Sequence, residues 1–466
     1  MSIAIELAKR ACALRYGDLP REAVHWAKVG ILDYLGVTLA GSREPAARLV
    51  ADVLGGTIGP CVVFGDSARI SALDAALVNG AASHALDFDD CNNTFGGHPT
   101  APILPALFAL ADETGASGKA LILAYVTGFE VETKIALGVH FHHYEKGWHP
   151  TATLGVFGSA AASAKLMGLD EERTATALAI AASFASGIKA NFGTMVKPLH
   201  VGHCSRNGLL AARLARAGYT ANAVTAFEHK QGFLNVFNGP GTYDAERIIK
   251  RWADPLDIVD PGIAVKQYPC CGSTHSALDA MLSLVRSHDL KPADVSRIDS
   301  WTHPRRLEHT NRPDPKSPLD AKFSVQYCLA RALTDRAIKI EHFEGDTYRD
   351  PVVQAILPLV HATTYTSAQF PAENHFAAEV KVTLKSGKTV GAKVDRPFGR
   401  TVENALPAEL LKEKFENCAL RVLGRDAVAH LFAAVEGLDG LADVREITAR
   451  AAAAPAARAA ARAVHA

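Results

Sequence analysis

The sequence has no surplus of either charge: Lys+Arg and Asp+Glu stand at 49 each. A balanced chain sets up no global field to draw in nucleic acid or a membrane surface, so any attraction for a charged ligand has to be local. No apolar run reaches membrane-spanning length. The opening stretch "MSIAIELAKRACALRYGDLP" lacks a basic region leading into an apolar core and cleavage site, so neither a spanning helix nor a secretory leader is expected. Eight cysteines are scattered, with only Cys270 and Cys271 adjoining. They form no C-x-x-C zinc pair and no dense disulfide framework, which makes a reduced, cytoplasmic setting the expectation. There is no Walker loop, no G-x-G-x-x-G after a strand, no H-E-x-x-H and no G-x-S-x-G elbow. Those absences leave no signature of a tightly held organic cofactor or of the common hydrolase centres.

What is present reads as a globular chain of 466 residues, 48% apolar and 21% charged. That is long for one hydrophobic core, so two domains are expected. Segments such as "REAVHWAKVGILDYLGVTLAG", "PILPALFALADETG" and "TLGVFGSAAASAKLMG" carry apolar residues at spacings of three and four. Many are crowded with Ala, Gly and Ser, which lets helices approach closely. Past "IVDPGIAVKQYPCCG" the texture changes. "SRIDSWTHP" alternates like a strand, and "FAAEVKVTLKSGKTVGAKVDRP" reads as two strands around a Ser386-Gly387 turn. Helical patterns return after about residue 405. The fold class expected is multi-domain and mainly α: an all-helical domain of residues 1–264 and 400–466, with a smaller α+β domain, 265–399, inserted and built on an antiparallel sheet. The low-complexity tail carries Arg458 and Arg462 one helical turn apart, a solvent-facing pattern without assigned function.

The stretch "HALDFDDCNNTFGGHPTAPILP" places three carboxylates, Asp87, Asp89 and Asp90, within four residues. A calcium loop starting at Asp87 would need Gly and an acid where Asn92 and His98 stand, so that motif fails. Asp87, Asp90 and His98 could by type hold Mg²⁺ or Zn²⁺, but no ligand spacing singles such a site out. The alternative is that the acids cap a helix end and His98 lies at the surface. The expectation is no metal and no cofactor.

Several segments place a cation or imidazole just before a helix start. In "GWHPTATLG", Pro150 pushes His149 toward an extended conformation. In "KPLHVGHCSRNG", Lys197 precedes a proline and reads as extended, His200 and His203 follow, and Ser205 is placed to cap the next helix. "KQYPCCGSTHSALDA" carries Lys266, then Ser273, Thr274 and His275 at another helix start, near the domain boundary where pockets form. A convergence of such groups suits proton removal beside a carboxylate, with cations stabilising an enolate-like charge.

Taken together, "HALDFDD…GHPTAPILPALFALA", "GWHPTATLGVFGSAAASAKLMGL", "KPLHVGHCSRNGLLAA", "KQYPCCGSTHSALDA" and "FSVQY" resemble the MmgE/PrpD family over nearly the whole chain. Its members include 2-methylcitrate dehydratase, cis-aconitate decarboxylase and iminodisuccinate epimerase. The resemblance implies a helical domain plus a smaller α+β domain, usually a homodimer, acting on small polycarboxylates without a metal. It places the family's pocket residues on Asp87, His98, His149, Lys197, Lys266 and Tyr327; from the placement of the loops, His98, His149, Lys197, Lys266 and Tyr327 are expected to converge on one cleft between the domains. Where decarboxylase members carry a histidine five residues beyond the lysine matching Lys266, this chain has Cys271, with His275 further on.

The reaction expected first is isomerase chemistry, the epimerisation of iminodisuccinate. A 2-methylcitrate dehydratase-type or cis-aconitate decarboxylase-type lyase, or a non-catalytic carboxylate-binding protein, stand as alternatives. In the epimerase reading His149 and Lys266 exchange protons on opposite faces, with His98, Asp87 and Tyr327 completing the catalytic set. Asp87 orients His98 and favours its protonated form. Lys197, His200, Cys271 and His275 hold the substrate.

Overall fold

Ala, Gly and Ser occupy the faces on which the helices of the first unit meet, and they set how close those helices come. The computed structural model describes residues 2–54 and 57–453; the tail with Arg458 and Arg462 lies outside the described residues. The chain divides into two units, Met1–Val265 with Ala408–Ala466, and Lys266–Pro407. The first unit begins with α1 (Ile3–Ala13), α2 (Arg21–Gly41) and α3 (Pro45–Val53), then a two-residue antiparallel pair, β1 (Cys61–Val62) with β2 (Arg69–Ile70). There follow α4 (Ala72–His84), α5 (Thr100–Thr114), α6 (Gly118–Glu145), α7 (Pro150–Thr153), α8 (Gly155–Leu166), α9 (Glu171–Phe184), α10 (Val196–Arg216) and α11 (Arg247–Lys250).

The crossing of α4 with α10 is a close-packed example that bears on function. A Cβ on Gly80 would meet the Cα of Gly202 at 2.6 Å, and a Cβ on Gly202 would meet the carbonyl oxygen of Leu77 at 2.1 Å. Backbone therefore lies against backbone, and the end of α4 comes beside the first turns of α10. A similar approach joins α6 to α8, where a Cβ on Gly128 would lie 2.5 Å from the oxygen of Gly158. Inside α5, Pro105 is followed by Ala106, whose N–H donates to Ser205 Oγ of α10 at 3.1 Å.

The second unit opens with α12 (His275–His288) and strand β3 (Val295–Thr302), continues through α13 (Pro304–Thr310), α14 (Pro318–Lys322), α15 (Val325–Asp335) and α16 (Pro351–Ile356), and ends in β4 (Val360–Thr364), β5 (Ala378–Leu384) and β6 (Thr389–Val394). The strand order is β4-β3-β5-β6. The β5–β6 hairpin turns where the sequence indicates, with Gly387 at φ +83°. The expected antiparallel sheet holds for β3–β5 and β5–β6, but β4 joins β3 in parallel. The reason is the connection: a parallel neighbour requires a crossover, and α13 to α16 supply it. Buried residues of α12, α15 and the inner sheet face, among them Leu278, Met281, Leu329, Val380 and Val382, form this unit's core.

The chain then returns to the first unit as α17 (Ala408–Ala419), α18 (Arg425–Glu436) and α19 (Arg445–Ala451). Lys414 of α17 is buried; its Nζ lies 2.5 Å from Asp33 Oδ1 and donates to the carbonyl of Phe88 at 2.8 Å. The returning segment thus pins the acidic stretch from behind. No helix among the described residues is long and apolar enough to cross a membrane.

Candidate active site

The helix α4 ends at His84, and the chain turns sharply at Asp87, whose φ is +53°. A left-handed backbone is costly for most residues and tolerated best by Gly, Asn and Asp. The turn folds the acids back over the histidine that precedes them. Both oxygens of Asp89 lie 2.9 Å from His84 Nδ1, and Asp89 Oδ2 lies 3.1 Å from His98 Nδ1. Asp87 Oδ1 lies 3.5 Å from His98 Nε2 and accepts from Lys197 Nζ at 2.7 Å. His98 is therefore flanked by a carboxylate at each ring nitrogen, an arrangement that calls for two N–H donors and so for the imidazolium.

The electrostatics agree with the geometry. Burial works against charge on His98, but Asp89, with Cys91 beside the ring at 3.7 Å, raises its pKa to about 10. Burial likewise opposes charge on Asp89, yet His84 and His98 hold its carboxyl well below the usual range. His84 goes the other way: burial, with further pressure from Lys197 and His98, lowers it to about 4 despite Asp89. The pair of imidazoles, 4.4 Å apart by ring centroid, is split into one cation and one neutral ring.

Asp90 faces elsewhere. It accepts from the Thr100 hydroxyl at 2.6 Å, which in turn touches the Tyr125 hydroxyl at 2.6 Å. Burial, then Asp33, pushes the Asp90 carboxyl well above its ordinary value. The ion-binding set that the sequence suggests, Asp87, Asp90 and His98, is accordingly not assembled. A different set is: donor atoms of His84, Asp87, Asp89 and His98 all lie within 4.8 Å of one another. The donor types would suit a divalent ion. Their negative charge, however, is already balanced by the Lys197 ammonium on Asp87 and by the proton on His98, so an ion would have to displace both.

His149 is the N-cap residue of α7, extended at φ −92°, with Pro150 at the first helical position. Its N–H donates to the Gly187 carbonyl at 3.0 Å. The ring, 2% exposed, sits 5.8 Å from the His84 ring and edge-on to Phe192 at 4.9 Å, and its Nδ1 lies 3.3 Å from His200 Nδ1. Burial, then Lys197, His84, His98 and His200, keep it neutral, well below the ordinary imidazole value. The N–H of His98 donates to Thr151 Oγ1 at 3.1 Å, tying the acidic loop to α7.

Lys197, His200, His203 and Ser205 do not lie in an extended segment before a helix, as their sequence suggests, but inside α10. Pro198 falls in the first turn, where a missing N–H breaks no hydrogen bond, so the helix starts ahead of it. Ser205 is correspondingly no cap; it is the mid-helix acceptor for Ala106. Helical spacing sets Lys197 and His200 on neighbouring turns of one face.

The remaining residues belong to the second unit. Lys266 is buried. Cys271, also buried, donates its N–H to the Lys322 carbonyl at 3.0 Å. His275 is the first residue of α12, with Nε2 3.2 Å from the Cys270 carbonyl. Tyr327 is fully buried; its hydroxyl donates to the His342 carbonyl and accepts from Arg331 Nε at 2.9 Å. The first unit thus brings together Asp87, His98, His149, Lys197 and His200. Sequence reasoning missed His84 and Asp89, and in assigning Asp87 as the partner of His98 it picked the longer of two contacts.

Comparison with known proteins adds an independent line. The MmgE/PrpD N-terminal domain matches residues 5–246 and the MmgE/PrpD C-terminal domain residues 268–462. The chain is 32% identical to the cis-aconitate decarboxylase of Homo sapiens, over 96% of this chain and 94% of that protein. It is 31% identical to the Mus musculus cis-aconitate decarboxylase, over 93% and 90%, and 29% identical to that of Aspergillus terreus, over 94% and 94%. These relatives are lyases by name. They lend no support to the expected epimerase activity and favour the decarboxylase-type alternative.

Proposed function

The chain belongs to the MmgE/PrpD family, and from that premise we propose that it is a lyase of the cis-aconitate decarboxylase type, removing CO₂ from a small unsaturated tricarboxylate without a metal or organic cofactor. The observation that carries this reading is His98, buried with a carboxylate at each ring nitrogen, in one cluster with the buried His149 ring and with Lys197 on Asp87. In such a decarboxylation the C–CO₂⁻ bond breaks and its electron pair spreads over the neighbouring C=C and carboxylate. A proton then closes a new C–H bond. Lys197 uses one donor on Asp87 and has others to offer a substrate carboxylate. His98, fixed as a cation by Asp89, stabilises the charge that develops as the bond breaks. His149 supplies the proton.

Cys271 favours a second outcome within the family, since decarboxylase members carry histidine at the position it matches: the preferred substrate would then lose water instead of CO₂. Trapping of released CO₂ from purified protein supplied with cis-aconitate, 2-methylcitrate or iminodisuccinate separates the two. CO₂ from the unsaturated tricarboxylate alone is the expected result. Alkene formation from 2-methylcitrate, or inversion of iminodisuccinate, with no CO₂ from any substrate, would overturn it.

A further inference from the structure

Decarboxylation has a proton balance that the site must meet. The carboxylate leaves as neutral CO₂, the electron pair stays on carbon, and one proton per turnover has to arrive from solvent. His149 is 2% exposed, so with substrate over its ring it has no direct route to that proton. We infer that His200 is a relay residue that carries a solvent proton to His149, with His203 as the outer member of the path.

The observations lie on α10 and the segments packed against it. His149 Nδ1 and His200 Nδ1 face each other at 3.3 Å, close enough for one ring to donate to the other. His149 makes no other ring hydrogen bond among the described residues, which leaves Nε2 for the reacting carbon. His200 is half-buried, and His203, one turn further along the helix, is exposed, so burial falls stepwise from His149 outward. The His203 ring is held by Ser186 Oγ at 3.4 Å and by Asn207 Nδ2 at 3.2 Å. Gly187, at φ +122°, is what seats the inner pair: a Cβ there would lie 3.1 Å from Ala152 Cβ and 3.4 Å from both Cγ and Nδ1 of His200. The charged or titratable groups facing His200 are His149 from α7 and Lys197 and His203 from α10; those facing His203 include Arg206. All of these are cationic or neutral, and together with burial they lower both imidazoles. A proton placed on His200 is therefore readily given up.

Each step balances. His200 takes a proton at Nε2, its Nδ1–H passes to His149 Nδ1, and the His149 Nε2–H is transferred to the carbanion. Both rings finish in the opposite tautomer; they are reset after product leaves, when water in the emptied site protonates His149 Nε2, its Nδ1–H returns to His200 Nδ1 and the His200 Nε2–H is released to solvent. No oxidant or further reactant is needed.

The inference rests on the lyase reading, and the experiment separates the two. His200→Gln keeps a hydrogen-bonding group facing His149 but cannot carry a proton, and His200→Ala leaves room for a small base. Turnover is measured for both and for the wild type, with and without imidazole in the buffer. The expected result is a fall in kcat of about 10- to 100-fold in both variants, KM within about threefold, and saturable recovery of His200→Ala by imidazole. Wild-type kcat in His200→Gln, or no response of His200→Ala to imidazole, would overturn the relay. If the wild type releases no CO₂ from any tricarboxylate, the lyase reading fails by itself. The relay is then read from washout of substrate C–H in D₂O, which the same variants should slow and imidazole should restore; washout unaffected by either would overturn it.

Discussion

Asp89 Oδ2 lies 3.1 Å from His98 Nδ1, with both side chains buried, and this contact fixes the charge of the ring at the centre of the site. Removing the anion while keeping the shape should therefore release the imidazole. In Asp89→Asn the His98 pKa, followed by NMR, should fall from about 10 to below 7, and kcat should drop by roughly two orders of magnitude or more. The fold should lose about 3–5 kcal/mol, the usual result of breaking a buried ion pair from one side. An unchanged His98 titration would show that Asp87 alone sustains the cation.

The same pair sets an alkaline limit. His98 binds its proton up to about pH 10 in the folded chain, against about 6.5 when unfolded. Its stabilising contribution is thus fully present below about pH 6.5 and lost as pH rises through about 10. Alkaline unfolding monitored by circular dichroism should show a steeper loss of stability above pH 7 in the wild type than in His98→Gln.

Lys197 donates to Asp87 and, in the account above, to substrate. Lys197→Ala should raise KM by roughly tenfold to hundredfold, the worth of a charge-assisted hydrogen bond, with a smaller effect on kcat. A fall in kcat at constant KM, measured by steady-state kinetics, would instead give the ammonium a role confined to the transition state.

The carboxylates near His84 are balanced by Lys197 and by the proton on His98. Activity should therefore survive dialysis against EDTA, and added Zn²⁺ should inhibit by competing for His84, Asp87, Asp89 and His98. Loss of activity with EDTA and recovery with one divalent ion would place a metal in that cluster.

The Gly80–Gly202 crossing holds the cationic turn of α10 against the end of α4. Gly202→Ala should cost about 1–3 kcal/mol in stability by overpacking. It should also lower activity beyond what the stability loss explains, because a misplacement of about 1 Å at a reacting group can cost a hundredfold. Thermal melts paired with kinetics on the folded fraction check both.

Much of this molecule is legible from its residues. Helical faces repeat every 3.6 residues, and the β5–β6 hairpin alternates around Ser386-Gly387, so those elements follow from local pattern. The parallel pairing of β3 with β4 does not, because it depends on a crossover of more than fifty residues that no local pattern encodes. Asp87, His98, His149 and Lys197 stand out by motif. His84 hides in the last turn of an Ala-rich helix, and Asp89 reaches it only because Asp87 adopts a positive φ. The paired spacing His84-x₄-Asp89 is the one signal that could have exposed them. Pro198 misled in the opposite sense, since proline in a first turn permits a helix that proline elsewhere would end.

The most direct measurement is an NMR time course of the purified protein with cis-aconitate in D₂O. Decarboxylation with His149 as proton donor requires one carbon-bound deuterium in the product for each CO₂ released, and strongly reduced turnover with His149→Ala. Recovery of the substrate with all three carboxylates intact, whether isomerised about its double bond, hydrated or merely exchanged, would contradict it.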